Sequence, residues 1–186
     1  MDVVRSLLFS AIFYPGTVLW VLAGTAASLF GRRPTLKVVL SWVDFHHWLT
    51  RNLLGIRSQV EGALPEGAYL FAVKHQSMYE TLEMVRLTHL PAIVMKKELA
   101  DIPLFGFLTR QYGMIPVERT AGAKALRAMV AAGKEAVASG RPVIIFPEGT
   151  RVRPGEAPPL RAGFASGSIL TNHWSDRRGS TTVSQR

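Results

Sequence analysis

AYLFAVKHQSMYETL, residues 68–82, starts as an apolar run from Tyr69 to Val73 with the length and composition of a buried strand, then meets Lys74 and His75, with Glu80 close behind. If His75 and Glu80 shared one helix, their spacing would set them about 140° apart, out of reach of each other. They meet only if the chain turns between them. The stretch therefore predicts a strand over Tyr69–Val73, a loop at His75–Ser77 and a helix from about Met78. In that arrangement a glutamate in the first helical turn folds back to the imidazole Nδ1, fixes its tautomer and leaves Nε2 to take a proton. The plainer alternative is a histidine that ends a strand and a solvated glutamate favoured by the helix dipole.

The same alternation continues outward. Ser58–Glu61, Ala92–Met95, Met114–Val117 and Val143–Phe146 read as strands, while Tyr79–Leu87, Leu104–Tyr112 and about Ala121–Ser139 read as helices. Strands alternating with helices imply an α/β fold, a mostly parallel sheet flanked by helices. The last of these helices gathers Leu126, Met129, Val130, Gly133 and Val137 on one face, and Gly140 supplies its stop. Two further strands end in charge. GMIPVERT (113–120) ends at Glu118 and Arg119, and VIIFPEGTR (143–151) at Glu148, Gly149 and Arg151. In an open parallel sheet the ligand crevice lies beyond the carboxyl ends of the strands, so parallel strands would deliver His75, Arg119 and Arg151 to one edge. The arginine fork suits a phosphate, and Gly149 would let backbone N–H groups approach an oxyanion. Lys96 and Lys97, after the apolar run AIVM, are further candidates, although each cluster alone is also an ordinary strand-end turn with a solvated charge.

The chain of 186 residues can bury one sizeable core, and 22 Lys+Arg against 13 Asp+Glu, a net charge of +9, favours anionic partners. With no cysteine, there is no thiolate metal site and no thiol nucleophile. From Ser6 to Gly31 no residue is charged and most are apolar, long enough to span a bilayer. Pro15-Gly16 interrupts this run, which leaves a spanning helix, a broken hairpin and a shallow helix in one leaflet all open, with a cleaved signal peptide the further alternative. Arg32, Arg33 and Lys37 follow directly and mark the cytoplasmic side. Between Leu36 and Leu54, apolar residues recur at helical spacing with Trp42 and Trp48 among them, as suits an interfacial helix or a plain core helix. His46 and His47 lack a carboxylate or cysteine at ligand spacing and read as packed or interfacial histidines. The organisation expected is membrane-anchoring helices over 1–55, an α/β domain over 56–170, and a polar tail over 171–186 that frays.

Taken in order and spacing, KHQSMYE (74–80), GMIPVER (113–119) and FPEGTR (146–151) resemble the first three motif blocks of the lysophosphatidate acyltransferase family of membrane-bound glycerolipid acyltransferases. The resemblance runs from the apolar N-terminus to near Ser168. It implies that His75 is the base that activates a glycerol hydroxyl and Glu80 its acidic partner. It implies that Lys96, Arg119 and Arg151 grip the acceptor phosphate, with Glu148 and Gly149 shaping that site. The acyl donor would be a thioester of coenzyme A or acyl carrier protein, with no metal and no other cofactor, the partners membrane lipids and not nucleic acid, and the location the cell membrane with the catalytic domain facing the cytoplasm. Two features depart from the family pattern. The first block carries Glu80 where aspartate is commoner, and after RAGFA (161–165) the expected helix and Val-Pro strand are replaced by TNHWSDRRGSTTVSQR (171–186). A shifted reading frame or truncation would leave the fold without its C-terminal part, and a catalytically inactive truncated member acting only as a basic membrane-surface binding protein is the alternative function. A serine hydrolase is disfavoured because no G-x-S-x-G elbow occurs.

Overall fold

A computed structural model describes residues 3–64, 67–118, 120–159 and 182–185. In chain order its elements are α1 (Val3–Ser28), α2 (Arg32–Leu49), a π-helical turn (Thr50–Leu54), β1 (Ser58–Glu61), β2 (Leu70–Ala72), α3 (Tyr79–Thr88), β3 (Ala92–Lys96), α4 (Lys97–Ala100), α5 (Phe105–Tyr112), β4 (Ile115–Val117), α6 (Gly122–Ala138), β5 (Val143–Ile145) and β6 (Thr182–Gln185). They fall into two compact units.

The sheet unit holds four strands in the order β2-β5-β3-β4. Every pairing is parallel: Ala72 lies opposite Ile145, Ile93 opposite Ile144, and Lys96 opposite Val117. The central strand β5, Val-Ile-Ile, is wholly buried, as a strand covered on both faces should be. Against the sheet lies α6, whose Met129 and Ala136 join Ala92, Ile115, Val143 and Ile145 in one core, with Leu126, Val130 and Val137 packed around it. The face read from the sequence is the one that packs. The helix stops as its glycine predicts: Gly140, at φ +78°, donates to Val137 O (2.9 Å) and Arg141 N to Ala136 O (3.0 Å), a Schellman pair.

That stop aims Arg141 at the amino ends of the strands. Its guanidinium donates to Leu90 O (2.9 Å), Pro91 O (3.2 Å) and Gly113 O (3.1 Å), tying the segments that lead into β3 and β4. Gly113 sits at φ +86°, and a Cβ there would collide with the Arg141 guanidinium, so glycine is required twice over.

The other unit contains α1, α2, α5 and the ribbon of β1 with β6. α1 runs unbroken through Pro15, against the interruption expected there. Proline forfeits one helical hydrogen bond, but packing of α1 on α2 outweighs that loss: Phe13 is buried and stacks on Trp42, Trp20 stacks on Phe45 at 4.6 Å, and Gly16 leaves room for the Phe45 ring. Trp42 donates from Nε1 to Thr17 Oγ1 (3.0 Å), so it faces α1, whereas Trp48 is 59% exposed. His46 is buried against the rings of Phe9 and Phe13, a packed histidine as read. The opposite face of α1 is apolar and exposed along its length, at Val4, Leu7, Leu8, Ile12, Val18, Leu19 and Leu22.

Two assignments change. The helix read over Leu104–Tyr112 belongs with α1 and α2 and not with the sheet, because Gly24 leaves room for Leu108 and Arg32 Nε donates to Gln111 O at the α5 carboxyl end (3.1 Å). Ser58–Glu61 is no part of the parallel sheet; it pairs antiparallel with Thr182–Gln185, inside the tail expected to fray. A short run with Thr and Val suits strand pairing, and β1 offers it an open edge. Arg119, RAGFA (161–165) and the tail up to residue 181 lie outside the described residues.

Candidate active site

Because β2 and β5 are parallel and in register at Ala72 and Ile145, the two chains leave the sheet side by side. His75 and Glu148, each three residues further on, remain neighbours: the His75 backbone N–H points to Glu148 Oε2 at 3.4 Å. Val152 N donates to His75 O (2.7 Å), which sets Arg151, itself exposed, one residue from the histidine backbone. Phe146, the first residue beyond β5, lays its ring on the imidazole, with centroids 4.3 Å apart and planes 28° from parallel.

The turn after His75 brings Glu80 back as the sequence requires. His75 Nδ1 lies 2.7 Å from Glu80 Oε1. A carboxylate only accepts, so Nδ1 carries the hydrogen and Nε2 presents a lone pair. Glu80 also accepts Gln76 N–H and Ser77 N–H (3.0 Å each) and the Ser77 hydroxyl (2.7 Å), while Ser77 Oγ accepts Tyr79 N–H (3.0 Å). Ser77-Met78-Tyr79-Glu80 thus has the spacing of a capping box and makes half of it, the Glu80 carboxylate reaching back to Ser77 N–H just ahead of α3, whose N-cap is Met78. Burial pushes the Glu80 carboxyl up, but hydrogen bonds from His75, the Ser77 hydroxyl and backbone N–H groups outweigh it and hold it below the ordinary glutamate value. The pair is largely covered, with side chains 19% and 11% exposed.

Lys96 ends β3 at the same edge, two strands and about 10 Å from β2. Lys97 Nζ meets Glu118 Oε2 at 3.5 Å, both half exposed. Arg119 follows Glu118, outside the described residues. Gly149, at φ +70°, gives its N–H to Phe146 O (3.0 Å). Its own amide therefore closes the turn, and what glycine supplies there is the chain reversal. Glu148 is buried, and its carboxylate points at the His75 amide, which orders the histidine loop. Ser77 and Phe146 were not singled out in the sequence. The S-x-x-E spacing signals the first, whereas nothing short of the strand register announces the second.

Residues 36–172 match the sequence model of the family described as Acyltransferase. The chain belongs to the acyltransferase family. Among curated acyltransferases, the 1-acyl-sn-glycerol-3-phosphate acyltransferase of Pseudomonas aeruginosa is 32% identical over 160 residues, covering 84% of this chain and 62% of that protein. The protein of the same name from Helicobacter pylori is 36% identical over 107 residues, 56% of this chain and 44% of that one. The human 1-acyl-sn-glycerol-3-phosphate acyltransferase alpha is 28% identical over 161 residues, 83% and 56% respectively. The chain thus spans less than two thirds of the length of these curated acyltransferases. Its fold is that of the 1-acyl-sn-glycerophosphate (LPA) acyltransferase PlsC of Thermotoga maritima, with a TM-score of 0.65 at 21% identity over 91% of this chain and 71% of that one.

Proposed function

We propose that this acyltransferase moves a fatty acyl chain from a thioester, on coenzyme A or acyl carrier protein, to the free hydroxyl of lysophosphatidate, giving phosphatidate. The observation that carries the reading is the 2.7 Å contact between His75 Nδ1 and Glu80, which leaves Nε2 as the acceptor at the ligand edge of the sheet. His75 Nε2 takes the hydroxyl proton as the oxygen attacks the thioester carbonyl, and Glu80 stabilises the imidazolium. The tetrahedral intermediate collapses with cleavage of the C–S bond, and the thiolate recovers the proton from Nε2. No acyl-enzyme and no further cofactor enter this scheme. Arg151, Lys96 and Arg119 supply positive charge for the acceptor phosphate, a match of charge that a choline or ethanolamine lyso-lipid would not repay in the same way.

The apolar outer face of α1, with the net charge of +9, supports residence at a membrane with an anionic surface and the catalytic unit on the cytoplasmic side, where lipid acceptor and product are concentrated. The test is incubation of membranes carrying the chain with a labelled acyl thioester and lysophosphatidate, glycerol 3-phosphate or lysophosphatidylcholine. Labelled phosphatidate formed from lysophosphatidate at least tenfold faster than product from the others is expected. Faster acylation of either competitor would refute the acceptor assignment.

A further inference from the structure

We propose that Phe146 is a positioning residue for the base: its ring face sets the plane of the His75 imidazole and stabilises the positive charge that ring acquires during acyl transfer. The inference rests on the reading of His75 as the base. Glu80 holds the Nδ1 edge of the imidazole, and the backbone of His75 is held by Glu148 and Val152. The remaining described contact is with the flat face, where the Phe146 ring stands 4.3 Å away and 28° from parallel. A neutral imidazole gains little there beyond dispersion. A protonated one is a cation over the negative face of an aromatic quadrupole, inside the ~6 Å range of that attraction. The imidazolium exists only after the proton moves, so the contact strengthens along the reaction coordinate and contributes to turnover, not to ground-state binding.

The frame around Phe146 is built to keep it there. It directly follows β5, whose three residues are all buried, and precedes Pro147, whose φ is fixed by its ring. Its carbonyl is engaged by Gly149 N–H in the turn that carries Glu148. If the ring only filled space, an aliphatic side chain of similar size would replace it.

Two sets of variants of the full chain in membranes separate these roles. Phe146→Tyr is expected to keep kcat within about threefold, whereas Phe146→Leu and Phe146→Met lose roughly tenfold in kcat with KM for both substrates unchanged. Replacement of Phe146 by mono-, di- and trifluorophenylalanine keeps the ring's outline while weakening its negative face, so folding is not at issue. Log kcat should fall stepwise with each fluorine. A flat response across the fluorinated series, or wild-type kcat in Phe146→Leu, overturns the proposal for Phe146 and leaves the base assignment standing. Wild-type turnover in His75→Ala would instead remove that assignment itself.

Discussion

Glu80 is the residue at which folding and chemistry are hardest to separate, because one carboxylate serves the imidazole and holds the Gln76–Ser77 turn that leads into α3. Glu80→Gln removes the charge at constant size and turns an amide NH2 toward donors of Gln76, Ser77 or His75. Turnover is expected to fall roughly 10²-fold and stability by about 1–2 kcal/mol, read from transfer assays and from denaturant titration in detergent. The lowered carboxyl of Glu80 also fixes a sign. Its stabilisation is present in full above the ordinary glutamate value, and is lost as pH falls through the lower value of the folded state. Stability of the wild type should therefore drop as pH falls below the ordinary glutamate value, and Glu80→Gln should flatten that portion of the curve. At this scale much was legible in the sequence: the spacing of His75 and Glu80 excluded one shared helix and demanded the turn that is found. Phe146 was not legible, since its contact runs across two strands and depends on Ala72 facing Ile145.

Among the elements, the parallel sheet is held at the end away from the site by Arg141, and that tie is testable without touching the chemistry. Arg141→Ala strands three carbonyls, at Leu90, Pro91 and Gly113, and is expected to cost about 3 kcal/mol in denaturant titration. Arg141→Lys should recover only part of it, as one ammonium on a flexible stem does not match the fork that reaches all of them. Element order and the packed face of α6 followed from periodicity, because burial imposes a repeat of 3.6 or 2 that survives in composition. Partnership between distant elements leaves no such trace. α5 reads as one more helix of the sheet domain until Gly24 and Leu108 are seen together, and β1 reads as one more parallel strand until Thr182–Gln185 pairs with it. Pro15 misled for a related reason: the cost of a missing amide is local, while the aromatic packing of α1 on α2 that outweighs it is not.

For the molecule as a whole, the exposed apolar side of α1 predicts how the chain is held at its substrate. Leu19→Asp, on that side and 65% exposed, should reduce co-sedimentation with anionic vesicles by up to roughly 10²-fold, the effect being smaller if α1 lies at the interface and not across it. His75→Ala should leave co-sedimentation unchanged, because His75 belongs to the sheet unit and not to the helical one. These two variants divide anchoring from catalysis, and the second bears on everything claimed for the site. The most direct measurement is the initial rate of labelled phosphatidate formation by vesicle-bound wild type and His75→Ala at saturating acyl thioester and lysophosphatidate. A loss of about 10²- to 10⁴-fold at equal bound protein is the predicted result, and a His75→Ala rate equal to wild type would contradict it.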